Sequence, residues 1–446
     1  MIKDRIGLKA LMALFGLVVS VQSFAQKAYE EIKADPCKAY GIYSLYSFDT
    51  PEPAKPPKGY EPFYISHFGR HGARYASSSS FYQKAENIFA KAHAEGKLTP
   101  KGEDFFKRYS AICSSFLYRG GDLTTVGQWQ EHQLASRMYG HYPQVFRKGA
   151  RIDAHSTDVI RCIMTMSAFC DGLKTEDASL EISQNASEST MYYMNPTSLY
   201  NPDITPEDYG MDNPSFVWNS TLDSLQNALF RPEEFFGSLF TDIGFVRRYG
   251  NLSDLEYSFY LIVATTPCSG LDEDFSDMFS FDELYRIWQR DNFRYYASKG
   301  PDPRQGGRQW AFAWTLLDNI ISQADHDIST GEFAARLRFG HDITIMNMMA
   351  LLDIDGWSSP TLDTGKLPDL WQSYRVPMAS NLQFVFYRSK SKPDDVIVRF
   401  MNNEKDVLIP IDSDIAPYYH WTDFRKYCEE RIAVARNIIK TTNAQK

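Results

Sequence analysis

Three short apolar runs along the chain each pass through a glycine or polar turn into a stretch with apolar residues at helical spacing. Such a switch from strand-like to helical periodicity marks a β–α unit. In "PFYISHFGRHGARY" the strand-like FYISHF is expected to turn at Gly69 and Gly72. In "ARIDAHSTDVIRCIMTMSAFCDGL", ARIDAH reads as a strand, and Ser156, Thr157 and Asp158 offer N-cap oxygens to the helix that follows. In "ARLRFGHDITIMNMMALL" the strand RLRF turns at Gly340, and His341 and Asp342 precede a Met- and Leu-rich helix. Strands alternating with helices predict an α/β sandwich with a mainly parallel sheet, whose strand ends open on one edge. Helix-like runs such as TLDSLQNALF and FDELYRIWQRDNFRYYA make residues 173–325 an insertion. The core then spans 26–172 and 326–446, closed by the amphipathic FRKYCEERIAVARNII.

The 446 residues, 43% hydrophobic and 23% charged, suffice for such a core. At the N-terminus Lys3, Arg5 and Lys9 precede the apolar ALMALFGLVVSV, with small residues at Ser23 and Ala25. That pattern predicts a signal peptide over 1–25, hence an exported chain, periplasmic or secreted. The apolar run is shorter than the roughly 20 residues a spanning helix needs, and no later segment reaches that length. Cleavage removes three cations and Asp4, which takes the formal charge from −9 to −11. Nucleic acid and anionic membranes are poor partners for so acidic a surface. Six cysteines are compatible with disulfides in an oxidising compartment, although Cys162 and Cys170 lie about 12 Å apart along one helix, too far to pair. The sequence leaves oligomeric state open.

In this acidic chain, Arg70, His71 and Arg74 cluster where a strand ends. Arg161 falls in the first turn of its helix, where the dipole disfavours a cation, and His341 and Asp342 fall at the third junction. Helix N-termini converging on one sheet edge favour an anion, and an anion accounts for the gathered cations.

These residues resemble a known family. RHGAR at Arg70–Arg74 is similar to the RHGxR signature of the histidine phosphatase superfamily, in its branch of acid phosphatases and phytases. His341–Asp342 resembles that clade's proton-donor motif. The resemblance continues through Gly121–Pro143, STDVIRCIMTMSAFCDGL and the C-terminal VPMASNLQFVFYR. It implies a three-layer, phosphoglycerate mutase-like sandwich with the insertion as a helical cap over the site. It implies His71 as the nucleophile that becomes a phosphohistidine, Asp342 as the proton donor, and Arg70, Arg74, Arg161 and His341 around the phosphate.

Phosphoryl transfer is governed by positioning and charge stabilisation, and arginine's planar fork can hold two phosphate oxygens. With that charge supplied by arginines, no metal or cofactor is expected. The clade's RHGxRxP proline is here Ala76, at some cost in loop rigidity. RHGARY and MYYMNP look like the multiple inositol polyphosphate phosphatase branch, whose donor motif is usually HAE. The HAE of this chain, His93–Glu95, lies in the polar FAKAHAEGKL and reads as an exposed helix end.

Arg247, Arg248, Arg290, Arg294, Arg304 and Arg308 are candidates for a basic rim, or else solvated helix-face charges. The acidic LDEDFSD lacks the spacing of a calcium loop, and DHD at Asp325–Asp327 has no partner cluster. The leading expectation is an exported phosphomonoesterase acting on a small phosphorylated substrate, foremost an inositol polyphosphate such as phytate. A broad-specificity acid or sugar phosphatase, and a non-catalytic phosphate-binding protein, are the alternatives.

Overall fold

The structure is a computed structural model that describes residues 27–444 except 196, 198, 203 and 205–215. The segment read as a signal peptide lies outside the described residues. Strands β1 (Tyr60–Arg70), β2 (Arg151–Ser156), β3 (Glu181–Ala186), β4 (Ala335–Gly340), β5 (Asn381–Ser389), β6 (Val396–Asn402), β7 (Lys405–Asp406) and β8 (Tyr418–His420) form one sheet. Its order is β3-β2-β4-β1-β5-β6-β7, with β8 also on β6. The half that carries the site, β3-β2-β4-β1, is parallel, and from β1 to β5 onward the pairs are antiparallel.

β1 does not turn at Gly69. It runs on to Arg70, because Gly69 pairs with Phe339 on one side and Asn381 on the other, and Arg70 still pairs with Gly340. Glycine is needed at 69 for space, since a Cβ there would meet the His67 ring at 2.7 Å.

Ten of the helices, numbered as introduced, are α1 (Ser80–Ala94), α2 (Pro100–Cys113), α3 (Thr125–His141), α4 (Ile160–Glu176), α5 (Pro232–Leu239), α6 (Leu252–Ser269), α7 (Phe281–Lys299), α8 (Trp314–Thr330), α9 (Asp342–Leu351) and α10 (Trp421–Ala444). One sheet face packs Ile152, Leu337 and Val385 against Leu134 and Met138 of α3 and Met166 and Phe169 of α4. The other packs Phe68, Phe384 and Val398 against apolar residues of α8, α9 and α10, which makes three layers. A second core joins distant parts of the chain. Phe89, Phe105 and Tyr109 of α1 and α2 bury with Phe235, Phe236 and Phe259 of α5 and α6.

All six cysteines are free, contrary to the disulfides their number allowed. Cys162 and Cys170 share α4 as expected, and five of the six are buried as small apolar side chains, which is how an unpaired thiol packs. His93 sits in the last turn of α1, exposed and paired with Glu103. The acidic stretch at 271–277 clusters around Arg108, which binds Glu273 and Asp277. The DHD residues are spent separately: Asp325 on Trp421 and Arg425, His326 on Glu332, Asp327 on Arg336. No described helix is long and apolar enough to cross a membrane.

Candidate active site

The register of β1 with β4 decides the site. Arg70 lies opposite Gly340, so the residues that follow each strand, His71 and His341, emerge side by side with ring centroids 5.9 Å apart. Backbone bonds hold His71 against the end of β4: His71 N donates to Gly340 O at 2.9 Å, and Ala379 N to His71 O at 3.0 Å.

The loop after His71 is wedged against α3. A Cβ on Gly72 would lie 2.6 Å from the Gly127 carbonyl oxygen, and one on Gly127 would lie 2.3 Å from that of Ala73. Gly72 N donates to Thr165 Oγ1, Ala73 N donates to Gln130 Oε1, and Ala76 O accepts from Gly121 N. These bonds supply the rigidity that the missing proline at Ala76 would have added.

Ser156, Thr157 and Asp158 do not cap α4. Val159 holds the N-cap position without a side-chain bond, because the β2 ladder carries on instead and Thr157 N donates to Phe339 O. Continued in that direction, Thr157 places Oγ1 3.4 Å from His341 Nε2. Arg161 is the second residue of α4, with its Nε buried and without a partner.

The structure therefore brings Arg70, His71, Arg74, Arg161, His341 and Asp342 to one point. His71 is 1% exposed, and its Nδ1 lies 2.9 Å from the Gly72 carbonyl oxygen. A carbonyl only accepts, so Nδ1 carries the proton and Nε2 keeps a free lone pair. Burial first, then Arg70, Arg74 and Arg161, holds the ring far below the usual histidine pKa, hence neutral. Burial and Arg161 take His341 down to about 3. Arg70, fully buried, donates Nη1 to the carbonyls of Ile42 and Val376, and its Nη2 lies 3.2 Å from Asp342 Oδ2. Burial pushes the Asp342 carboxyl up, but Arg70 and Arg74 outweigh it and hold the group below the carboxylate range. Arg74 ties Nη1 to Tyr75 O and faces the Tyr43 ring. Buried Nε atoms on Arg70, Arg74 and Arg161 have no hydrogen-bond acceptor.

Three features escaped the sequence. Lys299, the last residue of α7, is buried and in electrostatic contact with Asp342, and burial lowers it to about 8. Asn347 of α9 donates Nδ2 to the Lys299 and Gln309 carbonyls, which ties the α9 helix to the end of α7. Cys162 donates Sγ–H to Gly340 O and packs against the His341 ring at 3.8–3.9 Å. None carries a periodic signal, because a lysine ending a helix looks like any solvated residue. Of the candidate rim arginines, Arg247, Arg248 and Arg304 pair with Glu233, Glu95 and Asp302. Arg308 is buried. Arg290 and Arg294 share one buried carboxylate, Asp291.

The family model of the histidine phosphatase superfamily (branch 2) matches residues 68–403. The chain belongs to that family. It is a phosphatase of the histidine acid phosphatase type. Among solved structures, multiple inositol polyphosphate phosphatase of Bifidobacterium longum in complex with inositol hexasulfate is similar at 18% identity. The match covers 87% of this chain and 97% of that one, with a TM-score of 0.70. The phytase of D. castellii is similar at 16% identity over 89% and 85% of the two chains, with a TM-score of 0.67. Comparison with curated proteins gave no match.

Proposed function

We propose that this histidine phosphatase is an exported phosphomonoesterase that hydrolyses inositol polyphosphates through a phosphohistidine on His71. The observation that carries the reading is the convergence of three guanidiniums on a neutral imidazole with a single carboxylate beside them. Their excess of about two positive charges matches a phosphate dianion, and the acceptor-free Nε atoms suit its oxygens.

In the first step the His71 Nε2 lone pair attacks phosphorus while the ester P–O bond breaks, and the Asp342 proton goes to the departing alkoxide. In the second, water attacks the phosphohistidine, the P–N bond breaks, and Asp342 takes the water's proton. Asp342 is ionised in the resting site. A bound dianion draws the field of Arg70 and Arg74 and so raises the carboxyl towards its acid form. Lys299, at the end of α7, places further positive charge beside Asp342, and Arg294 of the same helix lies within the field of Lys299, which favours a substrate with several phosphates. The names of the two structural neighbours support the same substrate class. Export rests on the N-terminal pattern alone.

The test is phosphate release by the mature chain in excess EDTA from inositol hexakisphosphate, glucose 1-phosphate and p-nitrophenyl phosphate, with His71→Ala alongside. Metal-independent release that vanishes in His71→Ala and favours the hexakisphosphate is expected. Equal rates on all three would assign a broad-specificity phosphatase, and no release at any pH would assign a phosphate-binding protein.

A further inference from the structure

The sheet face beneath α8 carries charge that the reaction does not use. In paired registers β2 presents Asp153 and His155, and β4 presents Arg336 and Arg338. Arg336 is fully satisfied: its Nε and Nη2 bind Asp327 at 2.5 and 3.2 Å, and its Nη1 binds Asp153 at 2.7 Å. Asp153 also accepts from His155 Nε2 and Ser183 Oγ, so both carboxylates are spent.

Arg338 differs. It is 3% exposed, yet its guanidinium bonds run to two neutral oxygens, Nε to Asn319 Oδ1 and Nη1 to Ser66 Oγ, each at 3.0 Å. Burial lowers its pKa, and Arg336 adds to that while the nearby tyrosines and Asp153 oppose it. A guanidinium out of water without a carboxylate of its own is costly. Beside it opens a cavity of about 190 Å³, lined also by Tyr193, Gln323 and the paired Arg336 and Asp153, whose charges cancel and leave Arg338 as the cation facing the space. His155 lines the same cavity, and its buried Nδ1 has no hydrogen-bond partner. The space equals about six waters at roughly 30 Å³ each, enough for a phosphate with part of its hydration.

We infer that this cavity is a second binding site, for a small oxyanion of the size of inorganic phosphate, with Arg338 as its cation. It lies on the face of the sheet, whereas His71 and His341 lie beyond the strand ends. An oxyanion there supplies Arg338 with its missing counter-charge, and a hydroxyl of a protonated phosphate can donate to His155 Nδ1, whose ring already gives its Nε2 proton to Asp153.

Calorimetric titration of inorganic phosphate into the mature chain tests the site, with Arg338→Gln, Gln323→Phe and, for the catalytic site, Arg161→Gln. Gln323→Phe fills the cavity without removing a buried charge, so it decides the matter where Arg338→Gln does not fold. Two phosphates per chain are expected. One should be lost in either cavity variant while p-nitrophenyl phosphate turnover stays within about twofold. A single phosphate that survives both cavity variants and disappears in Arg161→Gln overturns the second site and leaves the catalytic reading intact. A single phosphate lost in the cavity variants but kept in Arg161→Gln supports the cavity and removes the catalytic reading.

Discussion

Asp342 Oδ2 lies 3.2 Å from Arg70 Nη2, so the carboxylate proposed as proton donor sits against a guanidinium proposed to hold phosphate. In the resting site the carboxylate partly answers the same positive charge that a substrate would.

Asp342→Asn separates the two roles. Removing the acid should lower turnover about 100- to 10,000-fold on substrates with poor leaving groups. Removing a competing anion should tighten binding of inorganic phosphate. Steady-state rates together with phosphate inhibition constants check both, and weaker phosphate binding in Asp342→Asn would contradict the competition.

Gly127→Ala should disable the site from outside it. The new Cβ would sit 2.3 Å from the Ala73 carbonyl oxygen, backbone against backbone, so the loop carrying His71 must move. A stability loss of about 1–3 kcal/mol is expected from such overpacking, with turnover down roughly 100-fold for a displacement near 1 Å. Thermal melts and kcat on one preparation measure both.

His67 makes the fold acid-sensitive independently of catalysis. It is buried between Phe169 and Phe339, its Nδ1 has no partner, and burial, with Arg338, lowers it to about 3. The unfolded chain takes up this proton below about pH 6.5, whereas the folded chain does so only near 3. The stabilisation is therefore complete above pH 6.5 and drains away at about 1.4 kcal/mol per unit as pH falls towards 3. His67→Leu should reduce the stability lost between pH 7 and pH 5 by about 2 kcal/mol, as read from urea melts at the two values.

Lys299→Met probes the positive charge beside the proton donor. Lys299 and Asp342 are in electrostatic contact, so removing the cation raises the carboxyl pKa. Since the donor acts protonated, the alkaline limb of kcat/KM should move to higher pH. KM for a polyphosphorylated substrate should rise more than KM for a monoester. An unmoved limb would place Lys299 outside the donor's field.

The three β–α junctions were legible because each combines a short apolar run, a turn residue and helical spacing within about twenty positions. That Arg70, His71, Arg74, Arg161, His341 and Asp342 meet was legible for a related reason, since each stands at a junction between strand and helix where solvation alone does not explain it. What stayed hidden depends on contacts across long sequence distances. Continuation of β1 through Gly69 follows from pairing with Phe339 and Asn381, more than 260 positions away. The hydroxyls of Ser156 and Thr157 have N-cap chemistry, but the β2 ladder claims their backbone first. Lys299 becomes a site residue only because Asn347 binds its carbonyl and draws the end of α7 towards α9.

The second core has a consequence for synthesis. Phe89 and Tyr109 are covered in part by Phe235 and Phe259, so α1 and α2 leave the ribosome well before the side chains that shelter them exist. At roughly 5–20 residues per second the wait of some 150 positions lasts about 7–30 s. Throughout it, a pair of aromatic-faced helices stands open to chaperones, to aggregation and, for an exported chain, to the translocation machinery, which passes polypeptides that have not yet closed.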